Sequence, residues 1–243
     1  MTTDHLVLAT AVLSLAGFVQ GLTGFGFGMT AMSLLPLILG LDEAQAVVTL
    51  TSTAACVLMA AVTLREVPWS SLPRLWLGTV VGVPIGFALF ESLPQILITR
   101  VLGVMLCSMV VFEFAVTRRT SLRWPRWLEP IVGVASGTLT GAFNIGGPPL
   151  VACIYSQPWS KEKHVAALTA VFLSGGLIRV GLLFAHRDLP IAAWTASGWA
   201  LLPMLIAIVC GNRVLSYLPQ RQLRAGVFAV LLLLGGRYLI VGA

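Results

Sequence analysis

Apolar stretches of about 20 residues follow one another along almost the whole chain, and this constrains the fold more than any other feature. They run over residues 5 to 39, 44 to 64, 71 to 90, 95 to 117, 128 to 158, 163 to 185, 190 to 211 and 220 to 241, separated by short polar breaks. Crossing about 30 Å of hydrocarbon takes about 20 apolar residues as a helix. Only 10% of the 243 residues are charged and 58% are apolar, against about 25% charged in a soluble domain. The chain reads as an all-α integral membrane protein of eight segments. It forms a single transmembrane domain over 1–243, with no cleavable leader: Met1 to His5 carries Asp4 and no Lys or Arg, and the apolar run behind it is too long for one.

The segments duplicate. Shifted by 120 positions, AGFVQGLTGFGFGMTAMSLLPLILGLDE at 16 to 43 lies over SGTLTGAFNIGGPPLVACIYSQPWSKEK at 136 to 163. Gly17 then meets Gly137, Gly21 meets Gly141, Gly26 meets Gly146 and Asp42 meets Glu162. Repeat 1 covers about 5–117 and repeat 2 about 128–241, joined by a basic loop at 118–127 that carries Arg118, Arg119, Arg123 and Arg126. Such duplications build many secondary transporters.

The first segment of each repeat is too long for one crossing. At 1.5 Å per residue, 5 to 39 and 128 to 158 would extend about 50 Å and about 45 Å as continuous helices. Both hold their glycines in the middle, GLTGFGFG at 21 to 28 and GAFNIGGPP at 141 to 149, and Gly with Pro interrupts a helix. Two re-entrant hairpins follow as the expectation. Charge supports them. With eight simple crossings the loop cations divide eight against six. With hairpins, Arg65, Arg74, Arg118, Arg119, Arg123, Arg126, Lys161, Lys163, Arg213, Arg221 and Arg224 face Arg100, Arg187 and Arg237, eleven against three, as the positive-inside rule requires. Three full crossings per repeat then make the repeats inverted, with both termini outside.

Irregular backbone inside hydrocarbon must be satisfied by protein or by a water-filled cavity. Each tip starts a new half-helix, near Met29 and near Leu150, where free N–H groups and the positive end of the dipole suit an anion. The expected substrate-binding residues are Gln20, Thr23, Gly24, Gly26 and Gly28 at the first tip, and Thr140, Asn144, Gly146 and Gly147 at the second. Thr30 and Thr138 lie in the same two polar clusters. The competing reading of Gly17, Gly21 and Gly24 is close helix packing through small residues. Arg179 lies within a span, where an unpaired Arg costs about 2.5 to 3.5 kcal/mol; it is either the counter-ion of a bound anion or a side chain that snorkels to the interface. Glu113 snorkels beside Arg118 and Arg119, and His164, beside Lys161 and Lys163 at a helix start, is read as a loop residue. Trp69, Trp76, Trp124, Trp127, Trp159, Trp194 and Trp199 form interfacial belts, with Trp159 and Trp194 as candidates to cap an access path.

Other functions find little support. Cys56, Cys107, Cys153 and Cys210 stand apart in apolar segments as small core residues, with no metal-ligand spacing, so neither metal nor cofactor is expected. The net charge of +6 belongs to loops and does not point to nucleic acid. Asp4, Asp42, Glu43, Glu66, Glu91, Glu129, Glu162 and Asp188 sit at segment ends or in loops, which leaves no paired acid and base for an enzyme. No GxxxxGK[ST] binds a nucleotide.

GFVQGLTGFGFGMTAMSLLPLIL and GTLTGAFNIGGPPLVACIYS, about 120 residues apart, resemble the two Gly-rich signatures of the sulfite exporter TauE/SafE family, a likeness that covers nearly the whole chain. The resemblance implies a secondary carrier for sulfite, sulfonates or related organosulfur anions in a bacterial inner membrane, working by alternating access. The expected partners are the small anion, the bilayer, a coupling proton or cation and, in a homodimer, a second copy of the chain. An anion channel or a membrane assembly subunit is the alternative. FNIGGPP, with Asn144 and two prolines where the first repeat has GFGFGM, makes the tips chemically unequal.

Overall fold

The computed structural model describes residues 3–116, 125–186, 189, 191–214 and 220–240, with the side chains at 23, 112–116, 214 and 220–228 outside the description. All regular structure among the described residues is helical. The helices are α1 (Thr3–Thr23), α2 (Phe27–Leu34), α3 (Pro36–Leu39), α4 (Leu41–Thr63), α5 (Pro73–Ser92), α6 (Gln95–Val116), α7 (Glu129–Phe143), α8 (Gly147–Tyr155), α9 (Lys161–His186), α10 (Ile191–Val214) and α11 (Gln220–Ile240). Single 3-10 turns precede α5 at Leu64–Glu66 and α7 at Arg126–Leu128. Most of the central basic loop and the Glu113 side chain lie outside the described residues.

Both overlong segments are broken. The first divides into α1, α2 and α3, the second into α7 and α8 behind their 3-10 turn. Each short helix packs back against the long one before it: α2 and α3 lie against α1, and α8 lies against α7. Pro36, which has no N–H to continue the ladder, separates α2 from α3, and Gly40 at φ 79° ends α3.

Five described helices are long and apolar enough to cross a membrane: Thr3–Leu22, Leu41–Glu66, Pro73–Ser92, Lys161–His186 and Ile191–Arg213. Shorter apolar helical stretches cover Phe27–Leu39, Gln95–Val111 and Ala229–Ile240. Large apolar side chains face outward, Val62, Leu233 and Ile240 among them, as a lipid-facing surface permits and a water-facing one does not. This is a multi-pass helical membrane protein.

The contacts divide the chain into two compact units, and neither coincides with a sequence half. The first unit is Met1–Thr51, Leu93–Val111 and Asp188–Ala243; the second is Ser52–Ser92 and Phe112–Arg187. In the first unit α1 runs along α10. A Cβ added to Gly17 would fall 2.7 Å from the Met204 carbonyl oxygen, and one on Gly21 would overlap that of Ile208. In the second unit α7 runs along α5, with Gly133, Gly137 and Gly141 facing Gly78, Gly82 and Gly86. A Cβ on Gly137 would lie 2.6 Å from the Thr79 carbonyl oxygen. Each broken segment thus packs on the third segment of the other half, α10 or α5, and both of those helices carry an interior proline, Pro203 and Pro84. Lipid offers no hydrophobic drive between helices, so close backbone approach through small residues supplies the attraction.

Three expectations need correction here. Gly17 and Gly21 serve helix packing, so the small-residue reading holds for them, although Gly24 belongs to the break. His164 is no loop residue: it sits in the first turn of α9, nearly buried, stacked on Tyr155 at 4.8 Å with Nε2 3.0 Å from the Gln157 carbonyl oxygen. Cys56 and Cys153 are buried, but Cys210 is exposed on the α10 surface, where lipid accommodates a small apolar thiol as readily as a core does.

Candidate functional site

The first break is built by glycine. α1 ends at Thr23, and the N–H of Gly24 bonds back to the Gln20 carbonyl oxygen at 2.7 Å. Gly24 at φ 79° and Gly26 at φ 104° then take left-handed conformations that a Cβ would oppose by about 1–2 kcal/mol each. Gly26 is the N-cap of α2 and has no side-chain cap among the described residues. The first intrahelical bond of α2 joins Thr30 N to Gly26 O at 3.0 Å, so the amides of Phe27, Gly28 and Met29 come before the ladder begins. Gln20, Phe27, Gly28, Met29 and Thr30 are all buried. The Tyr238 hydroxyl on α11 holds the far end of α2, donating to the Ser33 carbonyl oxygen at 2.9 Å. The Thr23 side chain lies outside the described residues.

The second break is built by an asparagine. Asn144, at φ 57°, is the one described non-glycine residue with positive φ. Its N–H bonds to Thr140 O at 2.9 Å, and that of Ile145 reaches back to Leu139 O at 3.4 Å, which wraps up the end of α7. Gly146 is the N-cap of α8, as Gly26 is of α2, and Pro148 and Pro149 follow in the first turn. The Ser136 hydroxyl donates to the Gly146 carbonyl oxygen, and that of Thr140 to Ser136 O at 2.9 Å. A Cβ on Gly146 would overlap the Thr140 hydroxyl and lie 2.7 Å from Ser136 O, so only glycine leaves the tip room to close.

Arg179 belongs to this second tip. Its side chain is fully buried, its Nη1 donates to the Thr140 carbonyl oxygen at 2.8 Å, and its guanidinium carbon stands 5.9 Å from the centre of the Phe87 ring. A cation at the C-terminal end of α7 is favoured by the dipole there. Snorkelling is therefore not what the side chain does. Thr140, Asn144, Gly146 and Arg179 come together, with Gly147 directly behind Gly146 in the first turn of α8. Gln20, Gly24, Gly26 and Gly28 come together at the first tip, within the other unit. Reading the residues missed Ser136 and Phe87. Ser136 stands four positions before Thr140 on the face that meets the tip, a signal available in the spacing; Phe87, on a different helix, had none. Among the described residues, no group of three His, Cys, Asp or Glu side chains is placed to hold a metal.

Residues 9–238 match the profile described as Sulfite exporter TauE/SafE. The chain belongs to that family. The family is one of transporters, so this member is a transporter and not an enzyme. It is 27% identical over 239 residues to a protein of Cupriavidus necator named Probable sulfite/organosulfonate exporter TauE, an alignment covering 95% of this chain and 92% of that protein. No solved structure matches.

Proposed function

We propose that this family member is a secondary carrier exporting sulfite, a sulfonate or a related small organosulfur anion across the bacterial inner membrane. The relative's name supplies the substrate class and the direction. The observation that carries the reading is the pair of buried helix breaks, each opening a new helix at an equivalent glycine, Gly26 and Gly146. Half-helix termini in a membrane interior are where transporters bind ions and substrates.

In this reading Gln20, Thr23, Gly24, Gly26 and Gly28 shape the first half of the site, and Thr140, Asn144, Gly146 and Gly147 the second. Arg179 maintains the second tip through Thr140. The hairpins re-enter from opposite faces, the repeats are inverted, and a proton or cation moves with the anion.

Proteoliposomes loaded with radiolabelled sulfite test this. The wild-type protein is expected to release the label faster than protein-free vesicles. Gly146→Leu should abolish release, and Arg179→Met should slow it at least about tenfold, the loss expected when a buried charged hydrogen bond is removed. Folded yield is checked by monodispersity in detergent. Wild-type rates in both variants would overturn the assignment of the tips; no release by the wild type would overturn the substrate.

A further inference from the structure

Among the described residues three buried hydroxyls, those of Thr30, Thr53 and Ser197, lack a hydrogen-bond partner. The contrast with their neighbours is sharp. Thr49, Thr51, Thr99 and Thr140 all donate to the carbonyl one turn back, and Ser33 donates to Thr30 O at 2.9 Å. A buried polar group left unmatched calls for a missing partner. Thr53 and Ser197 are in the middle of long helices. Thr30 is instead in the second turn of the eight-residue helix α2, 94% buried by its 6% exposure, just behind the first-turn amides of Phe27, Gly28 and Met29. Side chains on a helix lean toward its N-terminus, so this hydroxyl leans toward those amides.

The second tip offers fewer amides to an anion: Pro148 and Pro149 remove two from the first turn of α8. Its cation, Arg179, donates through Nη1 to the Thr140 carbonyl at the end of α7. Among the described residues the first tip has donors but no cation. α1, α3 and α11 pack against α2. Their described charged or titratable side chains are Asp4 and His5, exposed at the far end of α1; Arg237, exposed; and Tyr238, committed to Ser33 O. The cost of taking an ion out of water grows as the square of its charge, so neutral donors hold one negative charge far more readily than two.

We infer that the first tip is the anion subsite, formed by the Phe27, Gly28 and Met29 amides with the Thr30 hydroxyl, and that it takes monoanions: sulfonates and hydrogensulfite, not sulfite dianion or sulfate. The inference rests on the carrier reading above. Sulfite then crosses with its proton already attached.

Calorimetric titration of the full-length protein in nanodiscs with methanesulfonate, sulfite and sulfate, over a range of pH, tests it. Methanesulfonate affinity should stay constant. Apparent sulfite affinity should fall about tenfold per pH unit above sulfite's second ionisation, as the protonated form is lost, and sulfate should not bind. Thr30→Val should weaken methanesulfonate roughly tenfold to a hundredfold with an unchanged unfolding midpoint, and Thr30→Ser should restore binding. Sulfate binding as tight as methanesulfonate, or sulfite affinity flat or rising with pH, overturns the monoanion assignment even if no variant folds. Monoanion binding unaffected by Thr30→Val removes the subsite from the first tip and leaves the carrier standing, whereas no binding of any probe removes both.

Discussion

Asn144 ends α7 because it is the residue type, after glycine, that tolerates the left-handed region. The break needs that backbone conformation, which glycine also adopts, so Asn144→Gly should keep the break intact. Asn144→Val should cost about 1–2 kcal/mol, because a β-branched side chain crowds the following carbonyl at positive φ. Thermal unfolding in detergent should show a lower midpoint for the Val variant and a near-native one for the Gly variant; equal midpoints would contradict this account. Arg179 was readable as a buried charge within a span, yet its purpose was not, since nothing near it in sequence names Thr140, 39 positions away. Burial excludes snorkelling, which hydropathy by itself does not.

At the scale of elements, the hairpins are held by glycine faces. α7 presents Gly133, Gly137 and Gly141, and α5 presents Gly78, Gly82 and Gly86, each at a spacing of four that keeps the small residues on one face. A Cβ on Gly82 would overlap the Val134 carbonyl oxygen and stand 2.8 Å from Thr138 N. Two backbones cannot move apart by a methyl group without losing the contacts on either side, so Gly82→Ala should cost about 1–3 kcal/mol. Gly181 on α9 meets nothing within 4 Å, and Gly181→Ala should be neutral or stabilise by up to about 1 kcal/mol through helix propensity. Unfolding of the two variants side by side checks the contrast, which fails if they destabilise equally. The glycine pattern is visible in the sequence; the pairing of α7 with α5, and of α1 with α10, is not. Local spacing says that a face is small, and only the assembled bundle says which helix comes to it.

For the whole molecule, the proposed inverted orientation of the halves predicts that the chain near Asp42 and the chain near Lys161 lie on opposite faces of the membrane. Single cysteines introduced at those two positions, with Cys56, Cys107, Cys153 and Cys210 replaced by Ala, should react on opposite sides with a membrane-impermeant maleimide. Labelling of both from one side would mean that the breaks bend the chain without returning it. In the proposed topology three crossings per half place the loop cations eleven against three, the asymmetry that the positive-inside rule acts on during insertion.

Much of this protein could therefore be read without coordinates. Length, hydropathy and the positions of Gly and Pro are properties of short stretches of chain, and in lipid they leave the backbone few choices. They determined a membrane-spanning helical fold, the two interrupted helices and the residues Gly26, Asn144 and Gly146 at which those helices turn. What only the tertiary structure decided joins residues far apart: α1 on α10, α7 on α5, Arg179 on Thr140, Tyr238 on Ser33, and Thr30 buried with its hydroxyl unmatched. Such pairings follow from which surfaces fit when helices close on one another, and no local pattern encodes the partner of a surface.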